Sequence, residues 1–157
     1  NLLEWKDAEA GVPWGVLLLF GGGLSLAAAA QSSGLAAWIG GSMPTGLNIF
    51  LLVIIFTTLI IFLTELTSNL ATTATFLPIV AIIATQFGFN PLLLTASIAI
   101  AASCAFMLPV ATPPNAIVFG SELIKVPQMM RAGIAINFIA IIIVSLAGIY
   151  LVPYFLI

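Results

Sequence analysis

The sequence predicts an all-α, polytopic membrane protein in which a helical hairpin and a proline-broken helix interrupt otherwise apolar spans. Three observations predict it. The 157 residues are 62% hydrophobic and carry three Lys or Arg and five Asp or Glu. Apart from Glu65, no charged side chain falls between residues 10 and 121. The small polar residues collect in two places, TELTSNLATTATFLPI at 64–79 and PVATPPN at 109–115. A soluble domain needs roughly a quarter of its residues charged, whereas about 20 apolar residues let a helix cross a hydrocarbon core of about 30 Å. A soluble surface cannot be made from this composition.

The same composition excludes several functions. A net charge of −2 offers no basic face for nucleic acid. Cys104 is the one cysteine, so no internal disulfide forms, and there is no His for metal binding or proton transfer. One mid-chain carboxylate does not supply the acid/base pair or metal ligands of a membrane-bound enzyme. The mixed-charge leader from Glu4 to Glu9 differs from the basic n-region of a signal peptide, so no cleavage is expected.

Taken in order, residues 13–30 read as a spanning helix, with Pro13 in its first turn and Trp14 at the interface. Its run Gly21, Gly22, Gly23 resembles a phosphate loop only by composition; without a Lys it points to close helix packing. Residues 31–46, rich in Gly and Ser, are too short to span and suit an interfacial arm. Two apolar arms follow at 47–67 and 70–86. They are joined only by Ser68 and Asn69, which forces a hairpin and makes 47–86 one unit. After the turn at 87–90, Pro91 opens a helix expected to reach about Leu108. The three prolines of 109–115 break it, since each removes an N–H and constrains the residue before it. A short helix over 116–124 completes this broken helix of 91–124. A polar loop carrying Glu122, Lys125, Pro127 and Arg131 leads into a last spanning helix over 132–156.

Lys6, Lys125 and Arg131 are the basic residues, so the positive-inside rule puts the N-terminus and the 122–131 loop in the cytoplasm. Both feet of the hairpin then face outward, whether it crosses or only dips in. In hydrocarbon, irregular backbone survives only where protein buries it or water lines it. A re-entrant hairpin would bring its Ser68, Asn69 tip to the midplane, against the break at 109–115, and form a binding site. Helix N-termini at Asn69 and near Asn115, each worth about half a positive charge, would attract an anion without any Arg. Carbonyls freed near Ala111, with the Thr64 and Thr67 hydroxyls, would suit sodium. Paired broken helices of this kind mark the sites of secondary transporters. Plain alternatives are a turn between two crossing helices with back-bonded hydroxyls, a simple proline kink, and a Glu65 either functional within the membrane or solvated at the turn mouth.

TELTSNLATTATFLPI, followed by MLPVATPPNAIVFG and preceded by PWGVLLLFGGGLSLA, closely resembles the C-terminal half of the divalent-anion:sodium symporter family, over essentially the whole chain. The resemblance implies one half of an inverted-repeat, homodimeric transporter. Residues 1–46 would be leader, scaffold helix and arm; residues 47–157 would belong to a transport domain that moves elevator-fashion. It implies that Ser68, Asn69, Thr112 and Pro113 contact substrate and that Thr64, Thr67, Asn69 and Ala111 hold a sodium ion. Leu70 stands where the family usually has Thr, which bears on the choice between citrate and a smaller dicarboxylate. The first repeat is absent and Asn1 is no initiating Met, so the chain reads as a piece of a longer protein. The expectation is sodium-coupled symport of succinate, malate, fumarate or citrate, with sodium as coupling ion and no other cofactor, in a bacterial inner or plasma membrane. Symport of another divalent anion such as sulfate, or a non-transporting membrane assembly subunit, are the alternatives.

Overall fold

The computed structural model describes residues 5, 9, 11, 12, 14–35, 38 and 48–156. Most of the leader and of the proposed interfacial arm lies outside the described residues. Six helices carry the description: α1 (Trp14–Ser32), α2 (Ile49–Thr64), α3 (Asn69–Gln86), α4 (Pro91–Ala101), α5 (Pro113–Gly120) and α6 (Val126–Leu156). No strand occurs among the described residues. Asn69–Gln86 and Val126–Phe155 are each long and apolar enough to cross a bilayer, and the chain is an integral membrane protein.

Four of the helices start where a side chain replaces a missing backbone partner. Asn48 accepts from Leu51 N–H, Ser68 from Ala71, Asn90 from Leu92 and Thr112 from Asn115. Such caps satisfy the N–H groups that the first turn leaves without an acceptor. Prolines open α4 and α5, where no N–H is needed. α3 stops at Gly88, whose φ of 74° a side chain would disfavour, with Phe89 N–H returning to the Ala84 carbonyl at 2.9 Å.

α2 and α3 form the hairpin, but they touch each other little. α4 packs against both arms, and α6 closes over α2 and α4. Leu52, Phe56, Ile60, Val80, Leu94 and Ile98 make the centre of the resulting core, with Ile141 and Val144 from α6. α1 lies against α3. There Pro78 lacks the N–H that would bond the Ala74 carbonyl, and Gly23 packs onto that carbonyl; a Cβ on Gly23 would stand 2.7 Å from it. The glycine run of α1 therefore has a packing role at Gly23.

Three boundaries differ from the sequence reading. α4 ends at Ala101, about two turns before Leu108, so the break extends over 102–112. The apolar composition of 102–108 favours helix, but its backbone groups are claimed by distant side chains, as described below. α5 starts at Pro113 instead of 116, because Thr112 caps it and two prolines fit its first turn, and it ends at Gly120, short of 124. α6 starts at Val126 instead of 132. Pro127 suits a first turn, and Gln128 Oε1 accepts the Lys125 N–H at 2.9 Å, so half of the polar loop is helix.

Candidate functional site

The hairpin tip and the break lie side by side. One cavity of about 460 Å³ is lined by Leu66, Thr67, Ser68 and Asn69 from the tip and by Val110, Ala111 and Pro113 from the break. A second, of about 350 Å³, includes Asn69, Ser103, Phe106, Thr112, Pro113 and Asn115. Asn69 and Pro113 border both. The structure thus brings Ser68, Asn69, Thr112, Pro113, Thr67 and Ala111 to two adjoining cavities, with Thr64 buried behind Asn69.

The local chemistry of the tip follows from its caps. Ser68 Oγ accepts from Ala71 N–H at 3.1 Å, and Thr112 Oγ1 accepts from Asn115 N–H at 3.4 Å. Each hydroxyl uses a lone pair for its cap and keeps its hydrogen for another acceptor. Ala71 and Thr72 N–H bond back to Ser68, which leaves the Asn69 and Leu70 N–H groups directed out of the helix end. At α5 the first two residues are prolines without N–H groups. The donor-rich helix end is therefore that of α3, while α5 contributes Thr112 and apolar ring surface.

Oxygens converge one step deeper. Thr64 Oγ1 stands 2.8 Å from both Asn69 Oδ1 and Ala102 O. A hydroxyl has one hydrogen, so it can serve one of these acceptors fully while the other keeps a lone pair aimed at the same spot. The Thr67 hydroxyl donates to Leu63 O at 3.0 Å and lies against Thr72 Oγ1, which engages its hydrogen and leaves oxygen lone-pair capacity. Thr72 and Thr73 bond back to Ser68 O and Asn69 O, as hydroxyls in apolar helices do. The polar cluster thus divides: Thr72 and Thr73 satisfy the local backbone, Thr67 does so while lining the first cavity, and Ser68 and Asn69 border the cavities with Thr64 buried behind them.

Sequence reasoning placed Glu65 either in a functional position or at a solvated turn mouth. The carboxylate is buried, with the residue 4% exposed. Oε1 accepts from Phe106 N–H at 2.8 Å, Met107 N–H at 3.0 Å and Asn137 Nδ2 at 2.8 Å. Oε2 accepts from Met107 and Leu108 N–H, both at 3.1 Å. Converging N–H groups stabilise a desolvated carboxylate without a cation. They also unwind 102–108, because N–H groups bound to Glu65 cannot continue α4. Asn115 completes the loop from the other side, its Nδ2 donating to Ala105 O at 2.9 Å and Leu108 O at 3.0 Å. Sequence reasoning passed over Asn137 and the side chain of Asn115; the available signal was an amide deep in the apolar run of the last helix.

The deciding comparison covers the whole chain: residues 1–157 match the family described as the sodium:sulfate symporter transmembrane region. The chain belongs to the sodium:sulfate symporter family. This is a family of transporters, not enzymes, and it is the divalent-anion symporter family that the three motifs resemble. The sodium-dependent dicarboxylate transporter SdcS of Staphylococcus saprophyticus is 44% identical over 155 residues, and that of Staphylococcus aureus strain MRSA252 is 48% identical over the same length. Both alignments cover 98% of this chain and 30% of the relative, so this symporter-family chain spans about 30% of the length of those relatives.

Proposed function

We propose that this chain supplies one half-site of a sodium-coupled dicarboxylate symporter, completed by an N-terminal repeat in a longer protein. The observation that carries the reading is the juxtaposition of donors and acceptors around Asn69. Ser68, Asn69 and Thr112 border the cavities, the two hydroxyls with a hydrogen to give and Asn69 at the N–H-rich start of α3, which suits a carboxylate. Thr64 Oγ1, Asn69 Oδ1 and Ala102 O crowd together with one hydrogen between them, which suits a hard cation of sodium's kind. Ala111, on the unwound segment beside the tip, would add its carbonyl, and Thr67 an oxygen, the hydrogen of its hydroxyl being engaged by Leu63 O.

Asn69 stands in both sets, and this is how coupling would arise. A cation held on its amide oxygen fixes the first residue of α3, and with it the N–H groups that receive the anion. Each ligand then favours the conformation that the other needs, and their affinities rise together, typically five- to about 150-fold. Carriage across the membrane would follow if α2 to α6 move together against the scaffold to which α1 belongs, elevator-fashion, within a homodimer. The N-terminus and the 121–125 loop would face the cytoplasm of a bacterial cell, the loop carrying Lys125.

Uptake of radiolabelled succinate into proteoliposomes of the full-length protein tests this. Uptake driven by an inward sodium gradient and lost when potassium replaces sodium is expected. Sodium-driven uptake of sulfate in place of dicarboxylates would move the substrate to another divalent anion, in line with Leu70 having no hydroxyl. No uptake of either would refute the reading.

A further inference from the structure

Asn137 lies wholly buried in the middle of α6, and no part of the site described above requires it. Its Nδ2 donates to Glu65 Oε1 at 2.8 Å, while its Oδ1 has no partner among the described residues. A buried amide with one end unpaired is unfavourable compared with an apolar residue of similar size, so the bond to Glu65 calls for a reason beyond packing. One turn earlier on the same face is Gly133. A Cβ there would overlap the Phe106 carbonyl oxygen and Met107 Cα. α6 therefore meets the break at two successive turns. At Gly133 it touches the backbone of 106–107 directly, and at Asn137 it holds the carboxylate that gathers the N–H groups of 106–108.

Glu65 joins this contact to the oxygen cluster. It directly follows Thr64, whose hydroxyl reaches Asn69 on the tip and Ala102 at the head of the break. The terminal torsion of a glutamate is broad, so the plane of the carboxylate is set by its partners. Asn137 is the partner that comes from α6, donating to Oε1 beside the three backbone N–H groups of the break.

We infer that Asn137 is a positioning residue for the cation: through Glu65 it sets the break against the hairpin tip so that the Thr64, Asn69 and Ala102 oxygens converge. The inference rests on the reading of that spot as a sodium site. It makes α6 part of the same rigid body as the two site loops, although α6 itself contributes no ligand.

The test uses the full-length protein in proteoliposomes, with the half-saturating sodium concentration and the succinate KM at saturating sodium measured separately. Asn137→Leu and Asn137→Ser should raise half-saturating sodium about tenfold, the scale of one hydrogen bond to a charged group, and leave the KM at saturating sodium close to that of the unmodified protein. Glu65→Gln should shift it in the same direction. Glu65→Gln combined with Asn137→Leu should be no worse than Glu65→Gln alone, because both act through one carboxylate. Folded variants with unchanged half-saturating sodium would overturn the inference, as would shifts that multiply in the double variant. Loss of folded protein in both Asn137 variants would also count against it, since a positioning role predicts a folded protein of low sodium affinity. Absence of sodium-driven uptake in the unmodified protein would refute the transport reading itself.

Discussion

Thr64 Oγ1 and Asn69 Oδ1 are 2.8 Å apart, which ties the last residue of α2 to the first residue of α3 across the hairpin tip. The contact closes the turn over Glu65 to Ser68 and sets the Asn69 amide between the buried oxygens and the open cavities. Asn69→Ala removes the amide from both. Sodium-dependent succinate binding should fall at least about tenfold while the protein still folds, because Ser68 continues to cap α3. Binding by scintillation proximity in sodium and in potassium measures this; retained sodium dependence would remove Asn69 from the site.

The break should be held open from both sides. Asn115→Leu takes two donors away: the buried Ala105 carbonyl loses its bond to the amide, while the half-buried Leu108 carbonyl keeps only the Ala111 N–H at 3.2 Å. A loss of about 1–3 kcal/mol is expected, read as a lowered melting temperature in detergent. An unchanged melting temperature would mean that Glu65 alone keeps 102–108 unwound.

Close approach of helices should be felt at particular glycines. Gly133→Ala forces a methyl against the 106–107 backbone and should cost about 1–3 kcal/mol. Gly22→Ala, with nothing within 4 Å of its new methyl, should be near neutral in the same melting experiment. Equal effects at the two positions would contradict the packing of α6 on the break.

Water should reach the tip. In a Cys104→Ala background, Ser68→Cys and Thr112→Cys should react with a membrane-impermeant thiol reagent, since Ser68 and Thr112 line the two open cavities. Succinate with sodium should slow both reactions, and either ligand alone should do less. Failure of both cysteines to react from either side would argue for a turn buried in protein.

Much of this arrangement is legible in the sequence. Ser68 and Asn69 between two apolar arms point to a turn, and three prolines within 109–115 to a break or kink, so both irregular points are read from local chemistry. The extent of the break is not legible. Residues 102–108 are apolar enough to continue α4, and what unwinds them is a carboxylate some forty positions earlier and an amide beyond the prolines. Asn137 reads as one polar residue in a long apolar run until its partner is known. Nor does composition reveal that the Thr67 hydroxyl donates to a carbonyl one turn back.

The central claim is that sodium and dicarboxylate share Asn69 and so strengthen each other's binding. Titrating succinate into the purified full-length protein by calorimetry, once in sodium chloride and once in potassium chloride, tests it most directly. The account predicts succinate affinity at least about fivefold higher in sodium, with the difference gone in Asn69→Ala. Equal succinate affinity in the two salts would contradict it.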